Sequence, residues 1–199
     1  MDKKALISVA DKQGIVELAK GLKNFGYEII ATGGTQKLLA ENGIPAIKIS
    51  DYTSGTESER VKTLSQRIAK EILETGEISI VVCNLYPFFN QENKTLDEMI
   101  EFIDIGGVTL IRAAAKNYKK VGVVFSSTQY GDLIKALSEN QFDEAYRLNL
   151  ARKAFDYISW YDAVIAQYFN PDFSMRDYYS AGAELFIPMR YGENPHQRA

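Results

Sequence analysis

Short apolar, β-branched runs alternate along most of the chain with stretches whose apolar residues recur every three or four positions. Lys4 to Val9 reads as a strand, and Gly14 to Phe25 as a helix with Ile15, Leu18, Ala19 and Leu22 on one face. Tyr27 to Ala31 is a second strand, followed by a short helix from Thr35 to Asn42 that Gly43 stops. Ala46 to Ile49 predicts a third strand and Glu59 to Glu74 a helix ending at Gly76. Ile78 to Cys83 is wholly apolar apart from Ser79, and Val121 to Phe125 completes a set of five strands. Strands that carry apolar residues on both faces, separated by helices, specify a parallel sheet with helices on either side and right-handed crossovers. The expected class is therefore α/β, a three-layer arrangement around a five-stranded parallel sheet.

Beyond residue 142 the pattern becomes one long helix, with Ala145, Leu148, Ala151, Phe155, Ile158, Tyr161, Ile165 and Tyr168 spaced by three or four. Asn170-Pro171-Asp172 ends it. An aromatic-rich segment follows, containing Tyr178, Tyr179 and Phe186; with Trp160 it offers apolar area beyond what the sheet needs, which favours self-association.

Composition narrows the chemistry. A chain of 199 residues, 46% hydrophobic and 25% charged, suits one well-filled core. The net charge of −3 leaves no overall basic footprint for nucleic acid or an anionic membrane, so any basic site must be local. No apolar run approaches the roughly 20 residues of a membrane span, and Met1-Asp2-Lys3-Lys4 lacks the apolar stretch of a signal peptide, so a cytoplasmic location is expected. With one cysteine, Cys83, and one histidine, His196, the chain cannot form an internal disulfide and is poorly equipped for a zinc site or for Ser-His or Cys-His catalysis. Chemistry must rest on Lys, Asp, Tyr and the backbone.

In open parallel sheets, ligands bind beyond the carboxyl ends of the strands. Three loops then draw the eye: Ser8-Val9-Ala10-Asp11-Lys12, Thr32-Gly33-Gly34-Thr35 and Asn84-Leu85-Tyr86-Pro87. Gly33 and Gly34 can take positive φ and expose main-chain N–H groups to an anion, with the Thr32 and Thr35 hydroxyls and a helix N-terminus alongside. Lys12 could add a full positive charge. The same tetrapeptide also suits a plain strand-to-helix turn capped by threonine. Arg60-Val61-Lys62-Thr63 is either a basic cluster or a solvated helix face balanced by Glu57 and Glu59. Asp104, before Gly106-Gly107 and a helix carrying Arg112, Lys116 and Asn117, is either a site carboxylate or a helix cap. Cys83, ending an apolar strand, reads as a core thiol whose backbone borders the ligand.

Taken together, these segments resemble a known family. Ser8-Val9 with Asp11-Lys12, Thr32-Gly33-Gly34-Thr35, Arg60-Val61-Lys62-Thr63-Leu64, Asn84-Leu85-Tyr86-Pro87-Phe88, Ile103-Asp104-Ile105-Gly106-Gly107 and Arg112-Ala113-Ala114-Ala115-Lys116-Asn117 stand in the order found in inosine monophosphate (IMP) cyclohydrolase. In this family the cyclohydrolase is the N-terminal part of a bifunctional purine-biosynthesis protein whose second part is an AICAR formyltransferase. The resemblance implies a methylglyoxal synthase-like fold over residues 1–187. Arg190-Tyr191-Gly192-Glu193-Asn194-Pro195-His196-Gln197 looks like the opening of the formyltransferase part, so residues 188–199 would be its first, truncated stretch.

The activity implied is closure of the purine ring of formyl-AICAR (FAICAR) to give IMP and water, without metal or organic cofactor, in a cytoplasmic homodimer. The resemblance implies that Lys12 and Thr32 to Thr35 hold the 5′-phosphate, with Ser8, Ala10 and Asp11 alongside. Arg60, Val61, Lys62, Thr63, Cys83, Asn84, Asp104, Ile105 and Gly106 would surround the ribose and base. Lys116 matches the family's proton donor or acceptor, and Lys62, Tyr86 and Asp104 its supporting catalytic groups. Two departures stand out. Ala10 occupies a position that is usually serine, and the stretch after Leu64 is shorter than usual and lacks the family's His-Pro and His-Gly-Gly elements. A noncatalytic nucleotide-binding module on the same fold is the alternative reading.

Overall fold

The structure is a computed structural model that describes residues 3–53, 63, 65–88, 94–170 and 182. Five parallel strands form one sheet: β1 (Lys4–Val9), β2 (Glu28–Ala31), β3 (Ile47–Lys48), β4 (Ile78–Asn84) and β5 (Gly122–Val124), in the order β3-β2-β1-β4-β5. Leu6 lies opposite Ile30 on one side and Val81 on the other, and Val82 opposite Val124. Ala5, Leu6, Ile7, Ile30, Ile80, Val81, Val123 and Val124 are fully buried, which is why these strands show continuous apolar runs instead of alternation. The order reverses at β1, whose neighbours β2 and β4 are reached by crossovers in opposite directions, so the crevice for a ligand opens above β1.

The helices are α1 (Ile15–Asn24), α2 (Gly33–Glu41), α3 (Ile49–Tyr52), α4 (Gln66–Lys70), α5 (Leu96–Ile100), α6 (Gly106–Lys116), α7 (Tyr130–Ser138) and α8 (Glu144–Phe169). In α1 the four residues expected on one face, Ile15, Leu18, Ala19 and Leu22, are its buried ones. The expected stops at Gly43 and Gly76 both lie at φ 71°, the left-handed conformation that glycine adopts without a side-chain clash.

Several boundaries differ from the sequence pattern. The third strand is only Ile47–Lys48, because β2 offers only Ile30 and Ala31 for pairing before the chain turns into α3. The helix expected over 59–74 is described only from Gln66; at Glu71 its hydrogen bonding widens into a π-helical turn, Glu71–Thr75. The short second helix begins at Gly33, two residues earlier than its pattern suggests. Helices α3, α5 and α7, whose patterns are short, are not anticipated by the sequence pattern.

The chain divides into two compact units, residues 1–156 and 157–199. The first holds the whole sheet and the beginning of α8. In the second, α8 continues; Tyr157 and Trp160 stack with ring centroids 6.0 Å apart, and Gly182 lies close to Trp160 and Ala163. Tyr178, Tyr179 and Phe186 lie outside the described residues. Among the described residues, no helix is long and apolar enough to cross a membrane.

Candidate functional site

A cleft of about 1190 Å³ opens at the carboxyl ends of β1, β2, β4 and β5. Each wall comes from the residues just after a strand. Ser8, Ala10, Asp11 and Lys12 follow or end β1; Thr32, Gly33 and Gly34 follow β2; Asn84, Leu85 and Tyr86 end or follow β4. Asp104, Ile105 and Gly106, leading into α6, close one side, and Thr63 lies against Gly106, where an added Cβ would strike its hydroxyl. Phe125, Ser126 and Ser127, after β5, also line it, together with Ile100, Glu101 and Ile103.

Gly33 and Gly34 are the first residues of α2, with Thr32 in extended conformation before them. Neither has positive φ, contrary to the conformation expected of the pair. Their value lies elsewhere: the first N–H groups of a helix have no partner within it, and with no side chains the glycines leave these donors accessible at the positive end of the helix dipole. Thr32 forms no side-chain cap; its hydroxyl lies 3.5 Å from that of Thr35, which is fully buried and does not line the cleft.

Lys12 lines the same cleft. Its ammonium donates to the carbonyls of Val9 and, at 3.3 Å, Ala10, which fixes the cation at the end of β1. Burial lowers its pKa, partly offset by Asp11. Among the described lining residues it is the one cation, so an anion entering here meets Lys12 together with the N-terminus of α2.

Asn84 lines the cleft and also braces its wall. Its Oδ1 accepts from the amides of Ala10 at 2.5 Å and Asp11 at 3.1 Å, and its Nδ2 donates to the Asp11 carbonyl at 2.9 Å. It therefore pins the loop that carries Lys12 and keeps one Nδ2 N–H beyond these bonds. The Ala10 amide is taken up in the same brace.

Asp104 sits before α6. Its Oδ1 accepts from the Gly107 amide at 2.7 Å, and the backbone of Tyr86 is a second donor to the carboxylate. Burial raises its pKa, and these two backbone bonds oppose the rise. Gly107 is required here: a Cβ would lie 2.7 Å from both Asp104 Oδ2 and Leu85 Cδ2. Gly107→Ala is expected to displace that carboxylate and cost about 1–3 kcal/mol in stability, read as a lowered Tm in thermal denaturation. Tyr86, half exposed, stands at the rim near the strongly exposed Ile105.

Cys83 lies beneath this layer, 1% exposed, with its thiol 3.8 Å from the Gly107 carbonyl; burial drives its pKa upward, so it packs as a neutral core group. Lys116 is not gathered into the cleft. It is the last residue of α6, ten positions from Gly106 and so about 15 Å further along the axis, and it lines a separate groove with Arg112, Arg152 and Phe155. Arg60, Val61 and Lys62 lie outside the described residues. Ser126 and Ser127 were not anticipated, although the rule that singled out the other post-strand loops applies equally after β5. Among the described residues no group of three or more His, Cys, Asp or Glu side chains is arranged to hold a metal ion.

An α/β domain with its cleft at the switch point defines a class, and residues 14–109 match the MGS-like domain family. Residues 114–199 match the AICARFT/IMPCHase bienzyme family. The bifunctional purine biosynthesis protein PurH of Caldicellulosiruptor bescii is 47% identical over 224 aligned positions, covering 100% of this chain and 44% of that protein. PurH of Clostridium botulinum strain Langeland is 45% identical over 219, again covering 100% of this chain and 44% of the relative. A solved structure, that of ForH, superposes with a TM-score of 0.74 at 31% identity, covering 85% of this chain and 99% of that one. The chain belongs to the AICARFT/IMPCHase family and carries its MGS-like domain. It spans less than half the length of these PurH relatives.

Proposed function

We propose that this chain is an IMP cyclohydrolase, closing the ring of FAICAR to give IMP and water. The observation that carries the reading is two unlike groups lining one cleft: Lys12 with the bare amides of Gly33 and Gly34, and a partly buried carboxylate, Asp104. The first suits a phosphate and the second a proton transfer. Residues 1–187 would form the cyclohydrolase domain and 188–199 the start of the formyltransferase part, within a cytoplasmic homodimer.

In the reaction, the carboxamide nitrogen of FAICAR attacks the formamide carbon, forming the C–N bond of the ring. A proton leaves the nitrogen, the formyl oxygen becomes the hydroxyl of a carbinolamine, and loss of that hydroxyl as water gives IMP. Both reactants belong to one molecule, so holding them in a reactive conformer supplies much of the acceleration. Asp104 takes the nitrogen's proton, Tyr86 donates to the developing oxyanion, and Thr63 and Ile105 border the ribose and base. Lys62 would support this set. Loss of FAICAR and appearance of IMP, followed by absorbance, test the proposal; IMP binding without turnover would support the nucleotide-binding module instead.

Lys116 enters this chemistry only from a second copy, since its own α6 carries it to the far end of the domain. A mixing experiment decides. Lys116→Ala and Asp104→Asn should each be inactive alone. Allowed to exchange subunits in equal amounts, they should recover about a quarter of wild-type activity, because half the dimers are hybrids with one intact site. Full activity of Lys116→Ala alone would assign proton transfer to the chain's own cleft.

A further inference from the structure

One cluster of charged groups outside the cleft stands apart. Glu71, the first residue of the π-helical turn, is 7% exposed. Its Oε2 accepts from the Tyr52 hydroxyl at 2.5 Å and faces the Lys4 ammonium at 3.5 Å, while its Oε1 accepts from Arg67 Nε at 2.9 Å. Arg67 also donates to the Tyr52 carbonyl at 2.6 Å and stacks 3.9 Å from the centre of the Tyr52 ring. Lys4 continues to Glu77 at 2.9 Å. Strand β1, helix α3 and helix α4 thus meet on one carboxylate.

What this joins matters for the cleft. Tyr52 ends α3 and Arg67 lies in α4, so the node fastens together the two ends of the segment between residues 53 and 65. Ser65, 4% exposed, caps α4 by accepting from the Ile68 amide at 3.2 Å, and two residues before it Thr63 sits in the cleft against Gly106. Lys4 begins β1, whose other end carries Lys12. A buried carboxylate is costly unless fully partnered, so an ion cluster of this kind is weak evidence for net stability. A π-turn at its origin is a further local cost that packing must offset.

We infer that Glu71 is a positioning residue: with Tyr52, Arg67 and Lys4 it sets the placement of α4 and so holds Thr63 in the substrate cleft. The contacts agree in direction. Burial pulls the Lys4 pKa down, yet its bonds with Tyr52 and Glu77 and the charge of Glu71 leave it raised, and Arg67 is raised by its bond to Glu71. The inference rests on the cyclohydrolase reading, and the experiment separates the two.

Glu71→Gln keeps the size of the side chain and removes its charge. At a temperature where the variant is fully folded by near-UV circular dichroism, the FAICAR KM and the IMP Kd are expected to rise about fivefold or more, with kcat within about twofold. Tyr52→Phe, which removes one hydroxyl and leaves the ring, should shift both in the same direction by less, and it serves if Glu71→Gln does not fold. In a Thr63→Val background, Glu71→Gln should add less than about twofold, because the two act through one contact. A lowered Tm with unchanged KM and Kd, or full additivity with Thr63→Val, overturns the positioning role. Absence of IMP binding by the wild type would instead overturn the reading on which it rests.

Discussion

Asp104→Asn is expected to fold and to lose cyclisation activity by a factor of about 10²–10⁴, the usual range for removing a positioned acid–base group. Asparagine can still accept from the Gly107 amide through its Oδ1, so α6 keeps its start. It cannot carry the substrate's proton, and it offers one acceptor oxygen where the carboxylate has two for the Gly107 and Tyr86 backbone amides. The pH profile gives a second readout. Burial raises the Asp104 pKa from its ordinary value of 3.8, so the acid limb of kcat/KM should inflect above that value in the wild type and vanish in the variant. The linked stability effect has a defined sign. The folded state binds this proton more tightly than the unfolded chain, so stability falls as pH rises from 3.8 to the raised pKa and is level above it. Asp104→Asn removes that slope. An unshifted acid limb, or activity within tenfold of wild type, would remove Asp104 from the chemistry.

The contrast between Asp104 and Asn84 shows what the sequence could convey. The apolar runs of β1, β2, β4 and β5 were legible because strands buried on both faces admit little else, and α8 as a helix because its period holds over many turns, although Phe155 and Tyr168 of the expected stripe are exposed while Leu150, Ala154 and Ala163 are buried. The post-strand loops followed from the parallel topology. That Asn84 braces the Ala10–Lys12 loop was not legible, because it depends on β4 lying beside β1 across 74 positions, an adjacency that only the strand order supplies. The same holds for Glu71, whose partners at Tyr52 and Lys4 are 19 and 67 positions away. Sequence patterning at Glu59–Glu74 suggested one helix and gave no sign of the π-turn, since the change affects hydrogen-bond register more than the order of apolar residues.

Local chemistry and long-range placement also came apart at the glycine pair and at Lys116. The donors at Gly33 and Gly34 are where the motif predicts, but they come from an ordinary helix start instead of a left-handed turn, so side-chain absence matters more than backbone freedom. For Lys116 the resemblance fixes a residue type at a spacing, and α6 then carries it away from the cleft of its own chain. A helix turns the ten positions from Gly106 to Lys116 into a displacement that spacing alone does not show.

The second large effect belongs to Lys12. Lys12→Met keeps the length and apolar stem of the side chain while removing its charge, and it is expected to weaken IMP binding about 30-fold, roughly 2 kcal/mol for a charged hydrogen bond to phosphate. The N-terminus of α2 and its glycine amides remain, so residual binding should persist and should respond less to salt than the wild type does. The fold should change little, because the ammonium's partners, the carbonyls of Val9 and Ala10, open onto the cleft and can be hydrated once it is gone. Inosine, which lacks the phosphate, provides the decisive comparison. If Lys12 meets the phosphate, Lys12→Met should leave inosine affinity unchanged while cutting that for IMP, as read by calorimetry. An equal loss for both ligands would place Lys12 against the nucleoside, and no loss for either would leave the ammonium a tie for the end of β1.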